Sequence, residues 1–213
     1  MTATARRLPE VAGALRAAAA LEAHDRWSPE QLAAHQQRLL VELVRHAAAH
    51  SPYHRERLAG VSLDDDLDVR ALPTLDKAQA LEHFDDLVTD RRITLAAVEA
   101  HLAGIERHGG DERLPGGSRA MASGGTTGRR GVFVYGREDW RRVLAGVLRW
   151  TGDFMGVRPR LPRRRKLATV VADVPLHMTS RMSRSIDVGA HRMLRLDART
   201  PIEQLVPALN AFQ

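Results

Sequence analysis

The sequence predicts an α/β protein that begins helical and then alternates strands with helices. Two observations carry this. Before residue 118, apolar residues recur at helical spacing behind recognisable caps; after it, three short β-prone runs alternate with amphipathic stretches. The chain has 213 residues, 44% hydrophobic and 27% charged, which is enough to bury a core and unlike a disordered segment. The expected division is a mainly helical region over 1–117 and an α/β segment over 118–213.

The elements follow in chain order. Arg6 and Arg7 precede an alanine-rich stretch from Val11 to Leu21, which imitates a signal peptide. Arg16 splits the apolar run and no cleavage site follows, so a surface helix is predicted and a cytoplasmic location expected. Ser28-Pro29-Glu30-Gln31 has the form of a capping box with proline at the first helical position. Leu32, Leu39, Leu40, Leu43, Val44 and Ala47 then mark the stripe expected to face a core. Ser51-Pro52 should end that helix, because the residue before proline avoids helical backbone angles. Leu72-Pro73-Thr74 is predicted to open a short helical unit through Leu87, and Thr94 a further helix near Leu95 to Ile105. A polar, glycine-rich loop spans Gly109 to Ser118.

Beyond it, Gly131 to Tyr135 is β-prone. A helix is then predicted with Trp140, Val143, Leu144, Val147, Leu148 and Thr151 on one face. The basic run Arg158 to Lys166 leads to a strand at Leu167 to Ala172, a helix near His177 to Asp187 and a strand at His191 to Leu196. Thr200-Pro201-Ile202-Glu203 reads as a second capping box opening the last helix, whose Leu205, Leu209 and Phe212 are expected to face a core. That alternation implies a largely parallel sheet. The last helix carries no stop signal, so this end is expected to be cut.

Composition excludes several classes. There is no cysteine, hence no disulfide scaffold, thiolate metal site or cysteine nucleophile. No apolar run approaches the ~20 residues of a membrane span. The net charge is +6 and the pI about 10.8, with Lys77 and Lys166 the only lysines. This balance permits nucleic acid or phosphate partners without choosing between them. At 4%, aromatics are too sparse for a base-stacking surface.

Three clusters read blandly. His46, His50 and His54 lie four residues apart, but Pro52 interrupts their helix, so surface histidines are expected and no metal site. Asp64-Asp65-Asp66 lacks the pattern of a calcium loop. Arg163 to Lys166 is a solvated loop or, as an alternative function, the patch of a basic nucleic-acid-binding protein.

The informative segment is Ser123-Gly124-Gly125-Thr126-Thr127-Gly128-Arg129-Arg130-Gly131. Four glycines can turn successive amides toward one point, three hydroxyls add donors, and two arginines add charge, a set suited to a polyphosphate. It is neither Gly-x-x-x-x-Gly-Lys-Ser/Thr nor Gly-x-Gly-x-x-Gly. On composition alone, a surface hairpin rich in small residues explains it as well.

The order of these residues resembles the phosphate loop of the adenylate-forming superfamily of acyl-CoA synthetases, luciferases and peptide-synthetase adenylation domains. His50-Ser51-Pro52-Tyr53-His54-Arg55 and Leu72-Pro73-Thr74-Leu75-Asp76-Lys77 resemble two N-terminal elements of its phenylacetate–coenzyme A ligase branch. The resemblance implies an incomplete large domain of such an enzyme, with ATP and Mg2+ as cofactors, a small carboxylate as substrate and coenzyme A as acceptor. It implies that Ser123, Thr126 and Thr127 donate from hydroxyls and Gly124, Gly125 and Gly128 from amides to the β- and γ-phosphates. Arg129 and Arg130 stand where many relatives carry lysine or proline, and by the resemblance the region of His177 approaches the acyl pocket, although from the residues alone a capping or core histidine is the favoured reading. The downstream motifs for adenine, ribose and magnesium, and the lid with its lysine, have no counterpart, so the catalytic residues are unknown. The expectation is an N-terminal fragment or truncated relative of an ATP-dependent carboxylate–CoA ligase, inactive alone and prone to self-association through an exposed edge. The rival expectation is a non-catalytic interaction protein.

Overall fold

A computed structural model of the chain describes residues 3–109, 113–124, 130–155, 165–172, 174–189 and 191–213. It is mixed α/β, a helical region followed by strands and helices. Helix α1 (Ala3–Glu22) lays Val11, Ala14 and Ala18 inward. Helix α2 (Pro29–His50) starts at the predicted capping box: the Ser28 hydroxyl accepts from the Gln31 amide at 3.2 Å and Gln31 Oε1 accepts from the Ser28 amide at 2.9 Å. It ends at Ser51, which also caps the short α3 (Pro52–Arg57), an element missed in the sequence. Ser51 is fully buried because its hydroxyl also donates to the Asp86 carbonyl at 2.7 Å.

The buried face of α2 differs from the predicted one. Val41 and Val44 pack with Leu58 and Leu67, and Leu40 and Ala48 join them at the edge. Leu32, Leu39 and Leu43 stay 42%, 45% and 65% exposed. The side chain of Gln37 sets this rotation, donating to the carbonyls of Leu67 at 2.8 Å and Asp65 at 3.1 Å.

The unit predicted from Leu72 starts later. Asp76 and Gln79 form a reciprocal cap, so α4 runs Lys77–Glu82, and α5 (Phe84–Leu87) follows a break at His83. Helix α6 (Leu95–His108) begins at Thr94 as expected, the hydroxyl accepting from the Ala97 amide. Its buried Val98, Leu102 and Ile105 form a core with Phe84, Ile93, Leu114, Ala120, Ala122 and Leu176.

Strand β1 (Arg119–Ala122) pairs antiparallel with β2 (Val132–Tyr135), in register Ala122↔Val132 to Arg119↔Tyr135. All four β1 residues are buried, so the strand divides two cores. Ala120 and Ala122 join the α6 side, while Met121 joins α1 and α7 (Arg137–Met155) around Trp140, Leu144, Ala145 and Leu148. Strand β3 (Arg165–Val171), helix α8 (Met178–Ser185) and strand β4 (His191–Asp197) form a parallel βαβ unit.

The expected single, largely parallel sheet is therefore corrected. Among the described residues there are two two-stranded sheets, one antiparallel and one parallel. The physical reason is that the glycine loop closes a hairpin, which returns β2 beside β1. The second capping box also fails to form. The Thr200 amide donates to the Asp197 carbonyl at 2.9 Å in a turn, and α9 (Ile202–Phe212) starts after Pro201 with no side-chain cap. In α9, Leu205, Leu209 and Phe212 are half-buried, and Phe212 lies under Lys166 and Arg192. No described helix is long and apolar enough to cross a membrane.

Candidate functional site

The described ends of the glycine segment sit between two strands. β1 leads in and β2 leads out. The Ser123 amide donates to the Gly131 carbonyl at 2.8 Å, and the Gly131 amide donates to the Ser123 hydroxyl at 2.8 Å. This pair closes the hairpin at its base. Gly125, Thr126, Thr127, Gly128 and Arg129 lie outside the described residues, as do Arg158 to Arg164 of the basic run. Ser123, Gly124 and Arg130 are the predicted loop residues that the structure places.

Gly131 is buried, and the space a Cβ would take there is bounded by the Ser123 hydroxyl at 3.2 Å, Phe133 at 3.3 Å and the Lys77 stem at 3.4 Å. Lys77, from the second N-terminal element, thus packs against the base of the loop. The first element has a structural role elsewhere. His50 to Arg55 forms the α2–α3 corner, and Ser51 serves there as a cap and a buried anchor.

The connection after β3 crosses to the same place. The Ala122 amide donates to the Leu176 carbonyl at 3.1 Å, which carries His177 to the hairpin. The His177 ring lies 3.7 Å from where a Gly124 Cβ would stand. His177 directly precedes α8 and makes no side-chain cap, so the ring faces the hairpin and leaves the helix start uncapped. A cleft of about 300 Å³ results, lined by the polar Ser123, Arg130, His177 and Arg199 and the apolar Ala122, Val174 and Leu176, with Gly124 between them.

Among the described residues no carboxylate lines this cleft, and each of its two described arginines is held by one outside that lining. Arg130 pairs with Glu106 at 2.6 Å, and Arg199 pairs with Asp197 at 2.5 Å. Both arginine side chains are more than half exposed, at 58% and 66%. Exposed pairs of this kind contribute about 0–1 kcal/mol, so the pairing itself adds little to stability. Arg199 was not read from the sequence. The signal for it is its place just past the carboxyl end of a parallel strand, where ligands of open α/β sheets gather.

A second cleft of about 360 Å³ lies on the other side of the hairpin, against Leu81, Leu95, Leu102 and Val132, and shares Arg130. Among its described lining residues Glu99 and Glu106 outnumber the one guanidinium, Arg130, which favours a cation over an anion there.

The remaining candidates stay structural. His46 and His50 are exposed and stacked at 4.2 Å, with His50 Nδ1 2.9 Å from the His46 carbonyl. The pKa of His54 is held below the usual histidine value by burial and then by Arg57. Asp64 accepts from the Ser62 hydroxyl and Asp65 from Arg45. Among the described residues no group of His, Asp or Glu is placed to hold a metal ion. Of the predicted core aromatics, Trp140 is fully buried, while the side chains of Trp150 and Phe154 lie outside the described residues. No protein-family model, curated protein or solved structure matches the chain.

Proposed function

We propose that the segment from Ser123 to Gly131 grips the phosphate tail of ATP, as part of an N-terminal portion of an adenylate-forming carboxylate–CoA ligase. The carrying observation is the cleft at the base of the hairpin. It combines the described ends of the glycine segment, held between β1 and β2, with a hydroxyl, an imidazole and two guanidinium groups, and among the described residues no carboxylate lines it. At about 300 Å³ it suits the polyphosphate tail rather than a whole nucleotide. Magnesium would enter on the phosphates of ATP, since the described residues offer no ligand cluster of their own.

In the proposed reaction a carboxylate oxygen attacks the α-phosphorus. The bond from that phosphorus to the bridging oxygen breaks, and pyrophosphate leaves with the electron pair. A thiol, coenzyme A by the resemblance, then attacks the acyl carbon and AMP departs. The cleft residues would act in the first step, neutralising charge that builds on the leaving pyrophosphate. Residues 1–213 alone are expected to bind without turning over, because the downstream motifs are missing from the sequence.

Thermal shift of the whole chain with Mg-ATP tests this reading. The expected result is a rise in Tm with the parent protein that Thr127→Ala reduces by at least half, since binding to the native state alone raises stability. Equal rises for parent and variant, or no rise at all, would remove the proposal.

A further inference from the structure

We infer that the β4–α9 turn supplies the second wall of the anion site, with Arg199 gripping the pyrophosphate end of the ligand from the side opposite the hairpin. The inference rests on the phosphate reading of the hairpin and adds a binding residue to it.

Three observations carry it. First, Arg199 lines the same cleft as Ser123, Gly124 and Arg130, although it lies some 70 residues further along the chain. Second, the topology brings it there. β3 and β4 run parallel, and the Ala198 amide continues their ladder by donating to the Val171 carbonyl at 3.0 Å. The chain leaving β3 delivers Leu176 and His177, and the chain leaving β4 delivers Arg199. Both therefore reach the crevice outside the carboxyl ends of parallel strands.

Third, the turn orients the guanidinium in advance. Asp197 accepts from the Arg199 amide at 3.0 Å, from Nε at 3.0 Å and from Nη2 at 2.5 Å. A planar fork braced in this way loses little freedom when it meets a phosphate. On the hairpin side Arg130 is held by a single contact, its Nη1 donating to Glu106 Oε1 of α6 at 2.6 Å. Two arginines, each paired with a carboxylate that is absent from the described lining, thus meet at one cleft. The matching ligand is a dianionic or more highly charged phosphate group that can accept from both forks.

Titration with inorganic pyrophosphate, followed by 31P NMR on the whole chain, tests the inference. Arg199→Ala is expected to weaken binding about tenfold, the scale of a lost charge-assisted contact. Arg199→Lys keeps the charge but not the fork and should fall between this variant and the parent. Arg142→Ala removes an exposed charge on α7, outside the cleft, and should bind like the parent. Far-UV circular dichroism checks that each variant is folded, and the lysine variant carries the test if the alanine variant is not. Two results overturn the inference while leaving the hairpin reading intact: parent-like affinity in Arg199→Ala while Thr127→Ala weakens binding, or equal weakening by Arg199→Ala and Arg142→Ala. Absence of pyrophosphate binding by the parent protein overturns both.

Discussion

Trp140→Ala is expected to lower the unfolding free energy by about 3–5 kcal/mol, as large-to-small changes at packed aromatic sites do. Trp140 is wholly shielded from solvent and holds together three elements. It packs with Ala14 and Ala18 of α1, Met121 of β1, and Leu144 and Ala145 on its own helix. Its ring meets Tyr135 edge-on at 6.0 Å and lies 5.2 Å from the Arg119 guanidinium. The alanines of α1 are small enough to let α7 approach closely, so they cannot refill the cavity. The indole N–H is buried without an acceptor among the described residues. Trp140→Phe, which discards that donor, should therefore cost less than half as much. Urea unfolding of the two variants checks this; a loss below about 1 kcal/mol for Trp140→Ala would contradict the packing described.

Glu10→Ala is expected to cost about 3–5 kcal/mol, for an electrostatic reason. Glu10 on α1 accepts from both Nη atoms of Arg119, at 2.8 and 3.0 Å, and from Arg113 at 3.2 Å. The Arg119 side chain is 1% exposed and Glu10 11%, so water cannot replace the lost carboxylate. Removing both charges should hurt less than the sum of the single changes, because Arg119→Met in the Glu10→Ala background withdraws the charge left behind. A double-mutant cycle reads the coupling directly. Additive single effects would show that the pair does not join α1 to β1.

These two contacts also explain what could be read in the sequence and what could not. Helices with explicit caps were legible: Ser28 with Gln31, and Thr94, act as their spacing indicates. β1 was missed because Arg-Ala-Met-Ala has neither β-branched residues nor alternating polarity. Both of its faces are buried, and its arginine is inside only because Glu10 reaches it from more than a hundred residues away. The face of α2 was misjudged because apolar residues surround much of that helix. The deciding contact is the long-range hydrogen bond from Gln37 to Leu67, which no periodicity reveals. The same limit applies to the site. Ser123, Gly124 and Arg130 announce themselves by composition, and His177 by resemblance. Arg199 follows the predicted strand His191 to Leu196, but only the packing of β3 and β4 shows that this strand end faces the hairpin.

The account depends most on the base of the hairpin and the ends of β3 and β4 forming one anion site. Amide NMR of the 15N-labelled chain during addition of inorganic pyrophosphate tests this most directly. The predicted result is saturable shifts confined to Ser123, Gly124, Gly131, His177 and Arg199 and their neighbours, fading as salt rises. Shifts scattered over the arginine-rich surface without saturation, or none at these five residues, would contradict it.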